Sequence, residues 1–238
     1  MELNERIRQV QERLTQAARS AGRDPEEITL CAATKLQSEQ TIRAAIAAGI
    51  RVCGENREQE LTAHLQEDAY AGAQQVHFIG HLQTNKVNRV VGRVELIQSV
   101  DSPRLLQAIQ KQAQKLGIVQ DILLQVNIGA EASKGGVAPE EVGELAQQAV
   151  QLPNVRLRGL MCIPPVAQSP QEATHYFVAM RQLFVDTKEK MADNENDMDC
   201  LSMGMSHDFE QAIACGATLI RVGTALFGPR PTADTPKK

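Results

Sequence analysis

The sequence predicts a single (β/α)8 barrel with one extra helix at its N-terminus. Three observations lead there. Eight short apolar runs alternate with helical segments along the whole chain. Alternation of this kind builds βαβ units and a parallel sheet. The length, 238 residues, matches the ~250 that eight such units occupy in a closed barrel. A doubly wound open sheet uses the same units, and spacing alone does not separate the two.

The first segment is an amphipathic helix, with Leu3, Ile7, Val10, Leu14 and Ala18 at three- and four-residue spacing, closed by Ala21-Gly22. It is the extra element, packed on the outside. Asp24-Pro25-Glu26-Glu27 turns the chain into the first strand, Ile28 to Thr34. Ser38 then caps a helix from Glu39 to Ala48, ended by Gly49. The unit repeats: strand Ile50 to Gly54 with helix Arg57 to Glu67, strand Val76 to Gly80 with helix Thr84 to Val91, and strand Val94 to Val100 with helix Pro103 to Leu116. Strand Ile122 to Asn127 leads through a Gly-rich loop to helix Pro139 to Val150. Strand Val155 to Cys162 leads through Pro164-Pro165 to a long helix striped by Ala173, Phe177, Met180 and Phe184. Strand Leu201 to Met205 precedes helix Asp208 to Cys215, and strand Thr218 to Val222 precedes a short helix, Thr224 to Phe227. No linker divides the chain, so one barrel domain is expected over residues 1–229. Residues 230–238 read as a loose tail, and the polar run Asp193 to Asp199 as a surface loop.

Composition narrows the function classes. Hydrophobic residues make up 42% of the chain, enough for a sizeable core. The net charge is −4, aromatic residues are 3% and Trp is absent, which argues against a nucleic-acid binder with a basic stripe and stacking platforms. No apolar run approaches the ~20 residues that span a bilayer. The charged, amphipathic start MELNERIRQV has no apolar signal core, so the cytoplasm is the expected compartment. Five cysteines without CxxC spacing read as small buried hydrophobes.

Chemistry in such a barrel collects at the C-terminal ends of the strands. Lys35 follows the first strand directly. Apolar walls there would favour its neutral amine, the form that condenses with an aldehyde, although position alone also fits a solvated loop lysine. After strand seven, Ser206 is placed as the N-cap of the next helix. After strand eight, Gly223-Thr224 opens a short helix. Loops after strands seven and eight commonly hold phosphate, and in a closed barrel strand eight neighbours strand one. A phosphate on Ser206, Gly223 and Thr224 would therefore lie near Lys35, and a phosphorylated aldehyde would satisfy both. Arg221 shares a face with Gly223 and, once buried, needs an acceptor: a pyridine nitrogen, or a neighbouring carboxylate such as Glu55.

These segments, with Ala32-Ala33-Thr34-Lys35, Gly54-Glu55-Asn56-Arg57, His77-Phe78-Ile79-Gly80-His81-Leu82-Gln83-Thr84-Asn85-Lys86, Ser99-Val100-Asp101-Ser102, Gly159-Leu160-Met161, Leu201 to Ser206 and Arg221 to Gly228 in fixed order, resemble the pyridoxal phosphate homeostasis protein family, related to the barrel domain of alanine racemase. The resemblance runs from the first helix to about Pro229. It implies that Lys35 carries pyridoxal 5′-phosphate as a Schiff base, that Ser206, Gly223 and Thr224 hold the phosphate, that Arg221 faces the pyridine nitrogen and that Asn56 lies near the ring. By itself Asn56 looks like a helix N-cap. Cys53 and His207 depart from the family pattern, which usually has an aromatic and an acidic residue there; His207 is expected to point to solvent. His81 and the loop Ser133 to Gly136 read as structural.

The resemblance implies a carrier in intracellular vitamin B6 homeostasis that supplies recipient apoenzymes and has no substantial turnover. The alternatives are a racemase-like pyridoxal phosphate enzyme or an unrelated aldolase. A two-base racemase needs a second acid/base at the site. The two tyrosines, Tyr70 in a polar loop and Tyr176 within a helix, are not at strand ends. An Arg beside the ring nitrogen also leaves the ring a weak electron sink. With about ten residues following Gly228, the added β domain that completes the alanine racemase site is not expected. A monomer is expected.

Overall fold

The computed structural model describes residues 2–131, 134–191 and 198–229. The expected tail 230–238, residues 193–197 of the polar run and Ser133 lie outside them. Eight parallel strands close into a barrel in sequence order: β1 Thr29–Ala33, β2 Val52–Glu55, β3 Gln75–Phe78, β4 Leu96–Val100, β5 Gln120–Val126, β6 Val155–Cys162, β7 Cys200–Ser202 and β8 Leu219–Val222. β8 pairs with β1 (Cys31 opposite Arg221), so the sheet is closed, not open.

Helices α1 Leu3–Ser20, α2 Glu39–Ala47, α3 Glu58–Gln66, α4 Pro103–Leu116, α5 Val142–Val150, α6 Pro170–Lys190, α7 Phe209–Ala214 and α8 Thr224–Phe227 accompany the strands. α1 is the extra helix. Its buried stripe, Ile7, Val10, Leu14 and Ala18, packs toward α7 and α8. Ser38, Ser102 and Ser169 cap α2, α4 and α6 by accepting a backbone N–H with the side-chain oxygen.

Side chains alternate between two cores, as strand geometry requires. Cys31, Val52, Leu96, Leu123, Met161 and Leu219 fill the barrel interior, and a larger cluster lies between sheet and helices. The interior is tight. A Cβ on Gly54 would come 2.7 Å from Cys31 Sγ, and one on Gly159 (φ +150°) would come 1.8 Å from the Cys200 carbonyl.

Three elements differ from expectation. Thr84–Arg89 is a 3-10 segment, not an α-helix to Val91; Asn85, Asn88 and the β-branched Val87 and Val90 are weak helix formers. α5 is preceded by a separate 3-10 turn, Pro139–Glu141. β7 ends at Ser202 and not Met205, because Gly204 takes φ +92° where a Cβ would meet Ala212 at 2.5 Å. All five cysteines are free thiols, and Cys31, Cys53 and Cys162 are buried. Burial pushes the thiols of Cys53 and Cys162 up to about 12. No helix among the described residues is long and apolar enough to cross a membrane.

Candidate functional site

A cavity of about 430 Å³ opens at the C-terminal ends of the strands, and Lys35, Asn56, Ser206, Arg221, Gly223 and Thr224 all line it. Apolar walls come from Ala33, Ile79 and Ile163, and the rim from His207 and Phe227.

Lys35 is half-buried. It continues the inward parity of Cys31 and Ala33 on β1. The turn that carries it is unusual: Leu36 adopts φ +62°, a left-handed conformation that bulky residues rarely take. Two bonds hold it there, Leu36 N–H to Glu60 Oε2 (2.9 Å) and Gln37 N–H to the Thr34 carbonyl (3.0 Å).

Behind this turn lies a buried polar cluster that sequence reasoning did not find. Glu55 is fully buried and pairs with Thr34, Tyr70 and His64, not with Arg221. Its Oε1 accepts from Thr34 Oγ1 (2.5 Å), Tyr70 OH (2.9 Å) and His64 Nδ1 (3.0 Å). His64 Nε2 lies 3.2 Å from the Gln37 carbonyl. Both imidazole nitrogens thus face acceptors, which favours the imidazolium. The hydrogen bond to Glu55 raises the His64 pKa. Burial drives the Tyr70 phenol far above its ordinary value. Tyr70, expected in a polar loop, is therefore a buried anchor, and neither Tyr70 nor Tyr176 lines the cavity.

Ser206 is not the N-cap of α7. That position belongs to Asp208, whose Oδ1 accepts the Met205 N–H (2.6 Å) and pins the loop after β7. Ser206 Oγ instead reaches across to the end of β8, accepting from Gly223 N–H and Ala225 N–H, each at 3.2 Å. Its two lone pairs are then filled, so its own proton is left to donate. The backbone N–H groups of Ser206 and Thr224 donate to no acceptor among the described residues.

Arg221 is 4% exposed. Nη2 donates to the Cys162 carbonyl (2.8 Å) and Nη1 to Ser202 Oγ. A guanidinium has five N–H groups and stays charged even though burial disfavours it, so donors remain for the cavity. Asn56 precedes α3 without capping it, since the N-cap is Arg57. A Cβ on Gly80 would lie 2.0 Å from the Asn56 carbonyl, so only glycine lets the segment after β3 approach Asn56 this closely. Asn56 Oδ1 is buried with no partner among the described residues. His207 is exposed at the rim, and Cys53 is packed in the outer core. His81 is exposed, 3.5 Å from Asp101.

This arrangement offers a primary amine, a cluster of anion donors and a buried guanidinium around one cavity. The chain also has recognisable relatives. The family described as alanine racemase, N-terminal domain, matches residues 6–231. The pyridoxal phosphate homeostasis protein of Aquifex aeolicus is 44% identical over 226 residues, covering 95% of this chain and 97% of that protein. That of Pseudomonas aeruginosa is 41% identical, covering 95% of each chain. The solved structure of PipY from Synechococcus elongatus, with pyridoxal phosphate bound, is similar with a TM-score of 0.82 and 33% identity, covering 95% of this chain and all of that one (100%). On sequence and fold alike, this chain belongs to the pyridoxal phosphate homeostasis protein family.

Proposed function

We propose that this chain binds pyridoxal 5′-phosphate in the cavity at the strand ends, held as a Schiff base on Lys35, and acts in intracellular vitamin B6 homeostasis as a carrier without substantial turnover. The observation that carries this reading is the convergence of Lys35, Asn56, Ser206, Arg221, Gly223 and Thr224 on one cavity.

The residues fit the group. The Ser206 hydroxyl has only its proton left to offer and stands beside the uncommitted N–H of Thr224, a donor set for a phosphate. Arg221 presents N–H groups to a ring acceptor. The orphaned Asn56 Oδ1 is the kind of buried atom that a bound ligand satisfies. Pyridoxal phosphate supplies an electrophilic aldehyde when bound. Lys35 supplies the amine, and condensation releases one water. Because Arg cannot give up its proton to the ring nitrogen, the ring stays a weak electron sink. Neither tyrosine reaches the cavity to act as a second acid/base. Both features favour holding the cofactor over turning substrate over. Recipient apoenzymes, a monomeric state and a cytoplasmic location complete the reading.

Titration of the purified protein with pyridoxal phosphate is expected to give a saturable Schiff-base absorption band. Incubation with alanine is expected to give no racemisation beyond that of free cofactor. Racemisation abolished by Lys35→Ala would instead favour a racemase-like enzyme. No band would remove the cofactor reading.

A further inference from the structure

Below Arg221, an unbroken row of buried polar side chains runs along the barrel interior. Ser202 on β7, Gln98 on β4 and His77 on β3 are each at most 1% exposed. Ser202 Oγ donates to Gln98 Oε1 (2.7 Å), Gln98 Nε2 meets His77 Nδ1 (2.9 Å), and His77 Nε2 meets Gln75 Oε1 (2.9 Å) at the barrel floor.

The direction of every bond follows from the first. Arg221 can only donate, so Ser202 Oγ accepts from it and sends its proton to Gln98. The Gln98 amide is then oriented with Oε1 toward Ser202 and Nε2 toward His77. His77 Nδ1 must offer a lone pair, which puts its proton on Nε2, facing Gln75. Turning the Gln98 amide round would leave the Ser202 hydroxyl proton without an acceptor in a buried site, at a real cost. The residues that share the floor cavity with His77 include Glu27, Glu95, Asp121, Arg158 and Asp199. Burial, reinforced by the Arg158 charge and opposed by Asp121, pushes His77 down to about 4, so it is neutral through the physiological range.

We propose that Ser202 and Gln98 are positioning residues for the ligand: with His77 they form a one-way hydrogen-bond chain that holds the Arg221 guanidinium with its remaining N–H groups presented to the cavity. The identity of that ligand rests on the pyridoxal phosphate reading; the chain itself does not. The role is distinct from core filling. An apolar residue at 202 would leave the Arg221 side chain with the Cys162 carbonyl as its one acceptor among the described residues. An apolar residue at 98 would leave the Ser202 proton without the acceptor that orients its lone pair toward Arg221.

The test compares the full-length protein with S202A, Q98M and Q98E. In protein without cofactor, ¹⁵N-histidine NMR is expected to find His77 protonated on Nε2 and neutral from pH 5 to 8. Q98E keeps the acceptor for Ser202 but turns an oxygen toward Nδ1, so the His77 titration is expected to move upward. In pyridoxal phosphate titrations, S202A and Q98M are expected to bind about ten-fold more weakly, while Q98E stays within about three-fold of wild type. A proton on His77 Nδ1, or S202A and Q98M binding within two-fold of a wild type that does bind, would overturn the chain's role and leave the cofactor reading intact. A wild type that binds no pyridoxal phosphate would overturn the cofactor reading, and the ligand role with it, while the NMR result still decides the chain.

Discussion

At the scale of single residues, this site depends on side chains whose hydrogen-bonding capacity is already partly spent. Ser206 shows this best. By accepting from Gly223 and Ala225 it fixes the loop after β8 and is converted into a donor. Ser206→Ala is expected to lose about 1–2 kcal/mol of stability, because two N–H groups lose their acceptor, and to weaken binding of pyridoxal phosphate; denaturation curves and ligand titration read the two effects separately. His64 makes a second residue-scale prediction. Its pKa is raised in the folded protein, chiefly by the hydrogen bond to Glu55. Its contribution to stability is therefore fully present below the unfolded value, near 6.5, and is lost as pH rises through the folded value. Wild type is expected to exceed His64→Gln in stability most strongly near pH 6, and the gap is expected to narrow toward pH 9. A gap that is flat across that range would contradict the imidazolium assignment. His77 is shifted the other way, so its burial costs stability as pH falls below about 6.5.

At the scale of elements, α1 is a brace for the α7–α8 end of the cavity. Arg6 Nε donates to the Leu226 carbonyl of α8 (2.7 Å), and Arg23 Nη1 to the carbonyls of Ile213 (2.9 Å) and Ala217 (2.7 Å) around α7. Arg13 pairs with Glu210 and lies over the Phe209 ring, 4.6 Å from its centroid. Beneath these polar contacts is the apolar stripe of α1, including Ile7 at 1% exposure. Ile7→Ala is expected to cost about 2–4 kcal/mol by leaving a cavity at this seam. Because α8 begins at Thr224, a looser seam is also expected to weaken ligand binding. Chemical denaturation and cofactor titration of the same variant check both. An unchanged affinity in a clearly destabilised protein would separate α1 from the site.

At the scale of the whole molecule, closure of the barrel brings residues from the two ends of the chain together. Eight strand–helix units in a chain of this length make a barrel the expectation. The position of Lys35 directly after the first strand points it to the barrel mouth, and two-residue periodicity puts Arg221 and Gly223 on one face. The closure itself, which the spacing leaves open against an open sheet, comes from the pairing of β8 with β1. What stayed hidden were partnerships set by three-dimensional neighbours. Ser206 looked like a cap for the next helix because local sequence carries no sign of its reach to Gly223. Glu55 is one of two acceptors the sequence offers Arg221, because the sequence alone does not sort the alternate positions of β2 into inward and outward. Its outward partners His64 and Tyr70 lie 9 and 15 residues away. Ser202 and Gln98 are 104 residues apart and meet only across a closed barrel. Asn56 is a site residue by family resemblance, and its buried oxygen, without a partner among the described residues, supplies a physical reason for it. The central claim is that one amine, Lys35, holds pyridoxal phosphate at this cavity. Borohydride reduction of the cofactor-treated protein, followed by peptide mass mapping, tests it most directly. The account predicts a single stoichiometric adduct on Lys35 that is absent from Lys35→Ala. Adducts scattered over surface lysines, or a stoichiometric adduct that persists in Lys35→Ala, would contradict it.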